Sequence, residues 1–562
     1  MVIAYRFEYI STNRVLENFL KEICDEFKID YSIEKDGTIV TLFVSGTEEV
    51  LHKFADFISF YLPLSIFLKA THVEAVDSMP KSNVKIKPCE IALPFSKKAI
   101  TLAKDKNSVF WNNPFTPNEV GKVCVDCEAS LIFSKNNNIL IANNAIAHHK
   151  VYQEVAELIA KNEVVFIKMP GGDFAFSKVS KKHVHQQDDA IIIPTDLSNA
   201  QKMVLLDENE IRNLASIEKP IINARINSIY AAKGILDEKS VKIQMPNTIL
   251  LQLICEELYK IGVDFVVKSH LVGEKNYSID FEAVPPKIDS MEITVLENNE
   301  VLILKEYEGA PEHLVQGLEK LTNPAIRQYA SILNERALFN AKTSCFYFSK
   351  THDDAILFHD EEHGMLELSK FPLYPSIAAI FAAIEDAGET GKKLIKNYKA
   401  AFPEIFQHAL DTEVPQRLPQ NLFHLFAFAS VILGLSEDFE NGAEKLMDHA
   451  LGFGGQKGPR IEFTLKEKTK VHSDFDAIKM IRSAMSFKLA GTDDATLSFG
   501  FLDSFSYFVS DIADAHKETL SSSAMTLGGS LFGYKRLSEM TCKNLLSSHK
   551  IYFNRELPID NI

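Results

Sequence analysis

The chain has 562 residues, enough at roughly 150 residues per domain for about three or four domains that each bury a core, so a small disulfide scaffold is excluded. Apolar residues make up 46% and charged residues 24%, with Gly 24 and Pro 21, which leaves no room for a long disordered or collagen-like tract. The 60 Lys plus Arg against 76 Asp plus Glu give a formal charge of −16 at pH 7, a surface that repels phosphate backbones and disfavours nucleic acid as a partner.

The N-terminus, MVIAYRFEYISTNR, has no basic start followed by an apolar stretch and a small-residue cleavage site, so no signal peptide is expected and the protein is read as cytoplasmic. Residues 1–75 begin with a short strand, then place Leu16, Phe19, Leu20, Ile23 and Phe27 at the spacing of an amphipathic helix. A hairpin over Tyr31 to Ile33 and Thr38 to Val44 turns at Lys35-Asp36-Gly37, a second helix runs through Leu51, Phe54 and Ile58, and Thr71 to Ala75 closes the unit. The order β-α-β-β-α-β predicts a ferredoxin-like sandwich.

Residues 76–150 carry Pro80, Pro88, Pro94, Pro114 and Pro117 between short runs and read as a linker with a small insert. From 151 to 300, helices such as Tyr152 to Ala160 alternate with strands such as Val164 to Lys168, Ala190 to Pro194 and Val263 to Val267, an α/β pattern. Residues 301–562 start with a strand pair and turn mainly helical. Their most apolar run, Asn421 to Leu435, is shorter than the roughly 20 residues that span a bilayer, so a buried helix and no membrane insertion are expected. The region ends in a β-loop-α-β unit built on Ala524 to Thr526, the loop Leu527-Gly528-Gly529-Ser530, a helix from Tyr534 to Leu546 and the strand Ile551 to Asn554.

Seven cysteines, scattered except for Cys124 and Cys127, fit reduced thiols. Cys124-Val-Asp-Cys127 supplies two thiolates that can meet one tetrahedral zinc, and His148 and His149 follow at the spacing of a second ligand pair; a metal-free pair is the alternative. His359-Asp-Glu-Glu-His363 has the spacing of a helical zinc-protease motif, but strand-like sequence on both sides predicts a polar hairpin turn. The cluster His183, His185, Asp188 and Asp189 reads as a solvated loop. Gly171-Gly172 and Gly528-Gly529 each follow a strand, where bare amides can approach a phosphate or simply make a tight turn. Walker A, GxSxG and GxGxxG motifs are absent.

Taken together, the order of these parts resembles the HypF family. LIAKNEVVFIKMPGGDFAF (Leu158 to Phe176) is similar to that family's nucleotide-domain stretch, keeping Lys168, Gly171 and Gly172, and MTLGGSLFGYKRL with IYFNRELPID (Ile551 to Asp560) resembles its C-terminal segment. The resemblance implies an acylphosphatase-like domain (1–75), a degenerate zinc-finger insert (76–150), a YrdC-like α/β domain (151–300) and a Kae1-like domain of the actin/Hsp70 type (301–562). It implies carbamoyl-group transfer in NiFe-hydrogenase maturation, with ATP and zinc as cofactors and a maturation protein or the hydrogenase large subunit as partner. By that correspondence Arg14 is the catalytic phosphate-binding arginine, and Lys168, Gly171, Gly172, Ser269, Gly528 and Gly529 bind nucleotide. Cys124, Cys127, His148 and His149 would hold metal.

The departures fall on the chemistry. YISTN replaces the glycine-rich phosphate loop, Ile33 stands near the expected catalytic asparagine, HVHQQDDA replaces a basic run, and only Ser269 remains of the Thr-Ser-Gly-Asn loop. Pro372 to Ala379 (PLYPSIAA) aligns with a histidine-rich metal motif and contains no histidine. The expected function is therefore an accessory maturation protein with impaired catalysis, the alternative being an active carbamoyltransferase that forms carbamoyl-adenylate.

Overall fold

The computed structural model describes residues 1–86, 95–104, 131–136, 138–169, 172–180, 190–270, 275–281, 290–305, 312–467 and 472–560. Two compact units divide the chain: Met1–Val301 with Lys305–Pro311, and Leu302–Leu304 with Glu312–Ile562.

The first unit opens with β1 (Val2–Tyr9), α1 (Val15–Phe27), β2 (Asp30–Asp36), β3 (Ile39–Ser45), α2 (Glu48–Tyr61) and β4 (Leu68–Val76). The antiparallel sheet has the order β2-β3-β1-β4, the expected ferredoxin-like sandwich. The periodic residues explain it. Leu16, Phe19, Leu20 and Ile23 are buried on one face of α1, as are Leu51, Phe54 and Ile58 on α2. Phe54 meets Tyr5 and Phe27 edge-on, with ring centroids 6.0 and 5.3 Å apart; burying such a ring stabilises by about 1.5–3 kcal/mol.

The α/β part contains β5 (Leu131–Lys135), β6 (Asn138–Ala142), β7 (Val165–Met169), β8 (Gly172–Lys178), β9 (Ile191–Pro194), β10 (Ile221–Arg225), β11 (Ser240–Ile243), β12 (Phe265–Ser269), β13 (Tyr277–Phe281) and β14 (Glu292–Val295). They lie in one mixed sheet in the order β14-β10-β11-β9-β12-β8-β7-β13-β5-β6. The helices Ala145–Ala160 and Ile249–Lys260 supply Val151, Val155, Ile254 and Leu258 to its core. The hairpin β5–β6 belongs to this sheet, and the expected boundary after residue 150 falls inside the helix Ala145–Ala160. Sequence pattern missed the hairpin because β6 (NILIA) is an edge strand whose Ile139, Leu140 and Ile141 are all exposed, so the period-2 alternation of a half-buried strand is lacking. The sandwich is tied to the α/β part through Glu218: its buried carboxylate accepts hydrogen bonds from Ser65 Oγ (2.6 Å) and the Ile66 N–H (3.1 Å), and burial raises its pKa.

After β15 (Val301–Lys305), the second unit holds β16 (Thr343–Tyr347), β17 (Ala355–Asp360), β18 (Gly364–Lys370), β19 (Ala524–Gly528) and β20 (Ile551–Tyr552) in the order β18-β17-β16-β19-β20. β19 runs parallel to both β16 and β20, as the expected β-loop-α-β closure requires. The apolar run becomes the helix Leu422–Leu433, with every residue from Leu425 to Leu433 buried, and it ends at Gly434 in the left-handed region. Among the described residues no helix is long and apolar enough to cross a membrane.

Candidate functional site

Three strand-to-loop junctions carry the residues singled out above. At the first, between β1 and α1, Arg14 is the N-cap residue and makes no side-chain cap, while Asn13 before it binds the first helical amide. Its Oδ1 accepts hydrogen bonds from the Tyr9 hydroxyl (2.7 Å) and the Val15 N–H (3.0 Å), and its own N–H donates to Ser11 Oγ (3.0 Å). Arg14 follows in the left-handed region, φ +61°, with its side chain exposed. A helix start binds an anion through free N–H groups; here a carboxamide already takes one of them. Ile33 is 1% exposed and contributes only packing.

At the second junction the sheet brings β7, β8 and β12 side by side, which gathers Lys168, Gly172 and Ser269 from distant parts of the sequence. The Lys168 ammonium lies 2.9 Å from Asp280 Oδ1, and this hydrogen bond raises its pKa. Lys275 pairs with Asp173 at 2.6 Å. Lys268 Nζ sits 4.1 Å from the Phe174 ring centre, and the His270 ring lies 4.4 Å from the same ring. Gly172 has φ +140°, and a Cβ there would come no nearer than 3.9 Å, to His270 Cε1. Ser269 is 1% exposed and its Oγ has no hydrogen-bond partner among the described residues. Sequence reasoning found Lys168, Gly172 and Ser269 but missed the acids Asp173 and Asp280 that pair with the lysines of this group. Gly171 lies outside the described residues, as do His183, His185, Asp188 and Asp189.

The third junction joins the loop after β16 to the Gly528-Gly529 loop after β19. Gly529 takes φ +99°, and a Cβ on it would stand 2.0 Å from the Phe348 carbonyl oxygen, so only glycine fits. Asp560, 1% exposed, joins the two loops. Its Oδ2 accepts from Ser349 Oγ (2.6 Å), Ser530 Oγ (2.5 Å) and the Ser530 N–H (3.0 Å), and its Oδ1 accepts from the Tyr347 hydroxyl (2.5 Å). Ser530 Oγ in turn accepts from the Lys350 N–H at 2.9 Å. Asp354, also buried, accepts from the Ser349 N–H (2.8 Å) and the Leu422 N–H (2.6 Å), and burial raises its pKa well above the usual carboxylate range.

The segment leading to Asp560 is fixed by Glu335. That carboxylate accepts from the N–H groups of Arg555 (2.8 Å), Glu556 (2.8 Å) and Leu557 (2.9 Å), and from the Asn554 carboxamide (2.9 Å). Sequence reasoning picked out the glycines here but neither Asp560 nor Asp354. The signals in the sequence were the end of IYFNRELPID, the segment that resembles the family's C-terminal stretch, for Asp560, and the place of THDD between the paired strands for Asp354.

No protein-family model matches the chain. The curated Protein HydE of Wolinella succinogenes is 24% identical over 529 residues, covering 92% of this chain and 91% of the relative. Two solved structures superpose over almost the whole length. HypF from T. kodakarensis gives a TM-score of 0.71 at 11% identity, covering 99% of this chain and 96% of that one. Full-length HypF in its phosphate- and nucleotide-bound form gives 0.64 at 13% identity, covering 100% and 96%. The chain has the HypF fold. It is a mixed α/β, multidomain architecture with acylphosphatase-like, YrdC-like and Kae1-like domains, as the motif resemblance implied.

The HypF fold implies nucleotide and metal, and the residues present can be tested against both. The Kae1-like GG loop does not fit a nucleotide phosphate, because Asp560 already takes its Ser530 amide and hydroxyl. The YrdC-like group fits in part. The Ser269 hydroxyl has no partner among the described residues and a Cβ at Gly172 would make only an ordinary contact with His270, but Lys168 and Lys275 are each matched by an aspartate.

For zinc, Cys124 and Cys127 lie outside the described residues. His148 is fully buried, with Nε2 3.0 Å from the Ala142 carbonyl oxygen and Nδ1 3.3 Å from the Tyr152 hydroxyl, and burial pushes its pKa down to about 4. His149 packs edge-on against Tyr152. Both rings of the expected ligand pair are thus built into helix packing, and no group of three or more His, Cys, Asp or Glu is placed to hold a metal among the described residues. His359 and His363 flank the turn of the β17–β18 hairpin, as expected for a polar turn: His359 Nε2 lies 2.9 Å from the Phe339 carbonyl oxygen, and His363 Nδ1 lies 3.1 Å from Asp360.

Proposed function

We propose that this protein acts in NiFe-hydrogenase maturation as a HypF-related accessory protein whose carbamoyltransferase catalysis is impaired. The observation that carries the reading is the full-length HypF fold combined with a GG loop whose amide and hydroxyl donors are taken by Asp560. Two other sites point the same way: the Asn13 carboxamide takes the first amide of the acylphosphatase-like helix beside Arg14, and aspartates neutralise the YrdC-like lysines. Within this reading, the chain is divided as 1–75, 76–150, 151–300 and 301–562, the second segment contributing its β5–β6 hairpin to the sheet of the third. It works in the cytoplasm on a maturation protein or the hydrogenase large subunit, zinc on Cys124 and Cys127 serves structure, and the charge of −16 argues against a nucleic-acid partner.

A second reading, an active carbamoyltransferase forming carbamoyl-adenylate from carbamoyl phosphate and ATP, is favoured by one observation, the buried Ser269 Oγ, which has no hydrogen-bond partner among the described residues, on the strand beside β8. The phosphate- and nucleotide-bound state of the HypF relative is what such a site would take. ATP cleavage to AMP and pyrophosphate, with and without carbamoyl phosphate, separates the two. The impaired reading expects no carbamoyl-phosphate-dependent AMP from folded protein; dependent AMP that Lys168→Ala and Ser269→Ala abolish establishes the second. Unchanged hydrogenase activity and subunit processing in a strain lacking the protein would remove the maturation role altogether.

A further inference from the structure

Four donors converge on one carboxylate at the junction of the loops after β16 and β19: the Ser530 N–H, Ser530 Oγ, Ser349 Oγ and the Tyr347 hydroxyl, at 3.0, 2.5, 2.6 and 2.5 Å. All four are neutral hydroxyl or amide donors, the set that also holds a tetrahedral oxyanion. The backbone is shaped for the purpose, since Gly529 at φ +99° packs its Cα against the Phe348 carbonyl and lets the next N–H face the carboxylate. The junction lies just beneath the surface: Thr351 is exposed, and the His352 side chain is 30% exposed with Nδ1 3.5 Å from Asp560.

We propose that Asp560 is a built-in anion filling an oxyanion site made by Tyr347, Ser349 and Ser530, and that inorganic phosphate or a nucleotide's phosphate enters only when this carboxylate is removed or displaced. With Asp560 in place, an incoming phosphate meets like charge and finds its donors engaged. The same glycine-loop geometry therefore serves cohesion in this chain, joining two loops of the unit through one side chain. The proposal deepens the impaired-catalysis reading. Its test is binding to the purified full chain, so its failure is distinct from failure of the maturation role, which is read in cells.

The test is calorimetric titration of wild type and Asp560→Gly with inorganic phosphate and, separately, with ATP. Asp560→Gly is expected to bind inorganic phosphate at least tenfold more tightly than wild type, and Ser349→Ala added to it should take most of that gain away. Folded Asp560→Gly with no gain overturns the proposal; so does a gain for ATP with none for phosphate, which would place the binding elsewhere. Should Asp560→Gly fail to fold, the wild type decides. It is expected to show no saturable phosphate or ATP binding that responds to Ser349→Ala, and binding that Ser349→Ala weakens would show the site open with Asp560 present.

Discussion

Gly172 and Gly529 are both the second glycine of a pair after a strand, and in sequence they are interchangeable. In the structure they differ in kind. Gly529 is fixed by packing, since a Cβ would overlap the Phe348 carbonyl at 2.0 Å, whereas around Gly172 the nearest atom would be 3.9 Å away and only its φ of +140° disfavours a side chain. The donors beyond Gly529 are consumed by Asp560, while on β12, beside the strand that Gly172 opens, the Ser269 hydroxyl has no partner among the described residues. A glycine pair therefore marks a place where backbone comes close to something. Whether that something is another strand of the same unit or open space decides between a structural loop and a candidate ligand site.

The contrast can be broken most directly at Gly529. Gly529→Ala must move backbone against backbone, so it should destabilise the second unit by more than about 4 kcal/mol, read as loss of hydrogen-exchange protection in β16 and β19. A variant that keeps wild-type protection would refute the packing argument.

A middle-sized effect comes from acid. His148 in the first unit and His516 in the second are both buried, and burial pushes each down to about 4. Their folded values lie below the ordinary value near 6.5, so the stability tied to the neutral rings is complete above about pH 6.5 and lost as pH falls toward 4. The expected loss by pH 5 is about 2 kcal/mol for each ring. His516, whose Nδ1 lies 2.9 Å from Ser344 Oγ, is the one to replace. His516→Gln should flatten the decline in urea stability of its own unit between pH 6.5 and 5 and leave that of the first unit unchanged.

The smallest effect is expected at Gly172. Gly172→Ala should cost about 1–2 kcal/mol through backbone strain alone, in the first unit only. A penalty as large as that of Gly529→Ala would mean that the Gly172 turn is also packed shut.

Much of the fold was legible because it is written in periods. The spacing of Leu16, Phe19, Leu20 and Ile23, the turn at Gly37 and the alternating strands around it specify the sandwich, and the mainly apolar run Asn421 to Leu435 specifies a helix buried from Leu425 to Leu433. The β5–β6 hairpin was not legible, because an edge strand exposed on both faces has no apolar period to read. The sites were legible only in part. Lys168, Gly172 and Ser269 lie on neighbouring strands of one sheet, but the ion pairs that neutralise the lysines join distant positions: Lys168 meets Asp280 of β13, and Asp173, beside Gly172, meets Lys275.

By itself the sequence determined which segments are helix and strand, the α/β and α+β character of the parts, and the chemical kinds of residue available at each loop, since these follow from local spacing and side-chain type. Only the tertiary structure decided what those residues are bonded to. Asp560 lies 211 positions from Ser349 and 30 from Ser530, and Glu335 lies 221 from Glu556. Hydrogen bonds over such separations depend on how β16, β19 and the segment after β20 are brought together, and no local pattern encodes whether a loop's donors will meet a ligand or a carboxylate of the same chain.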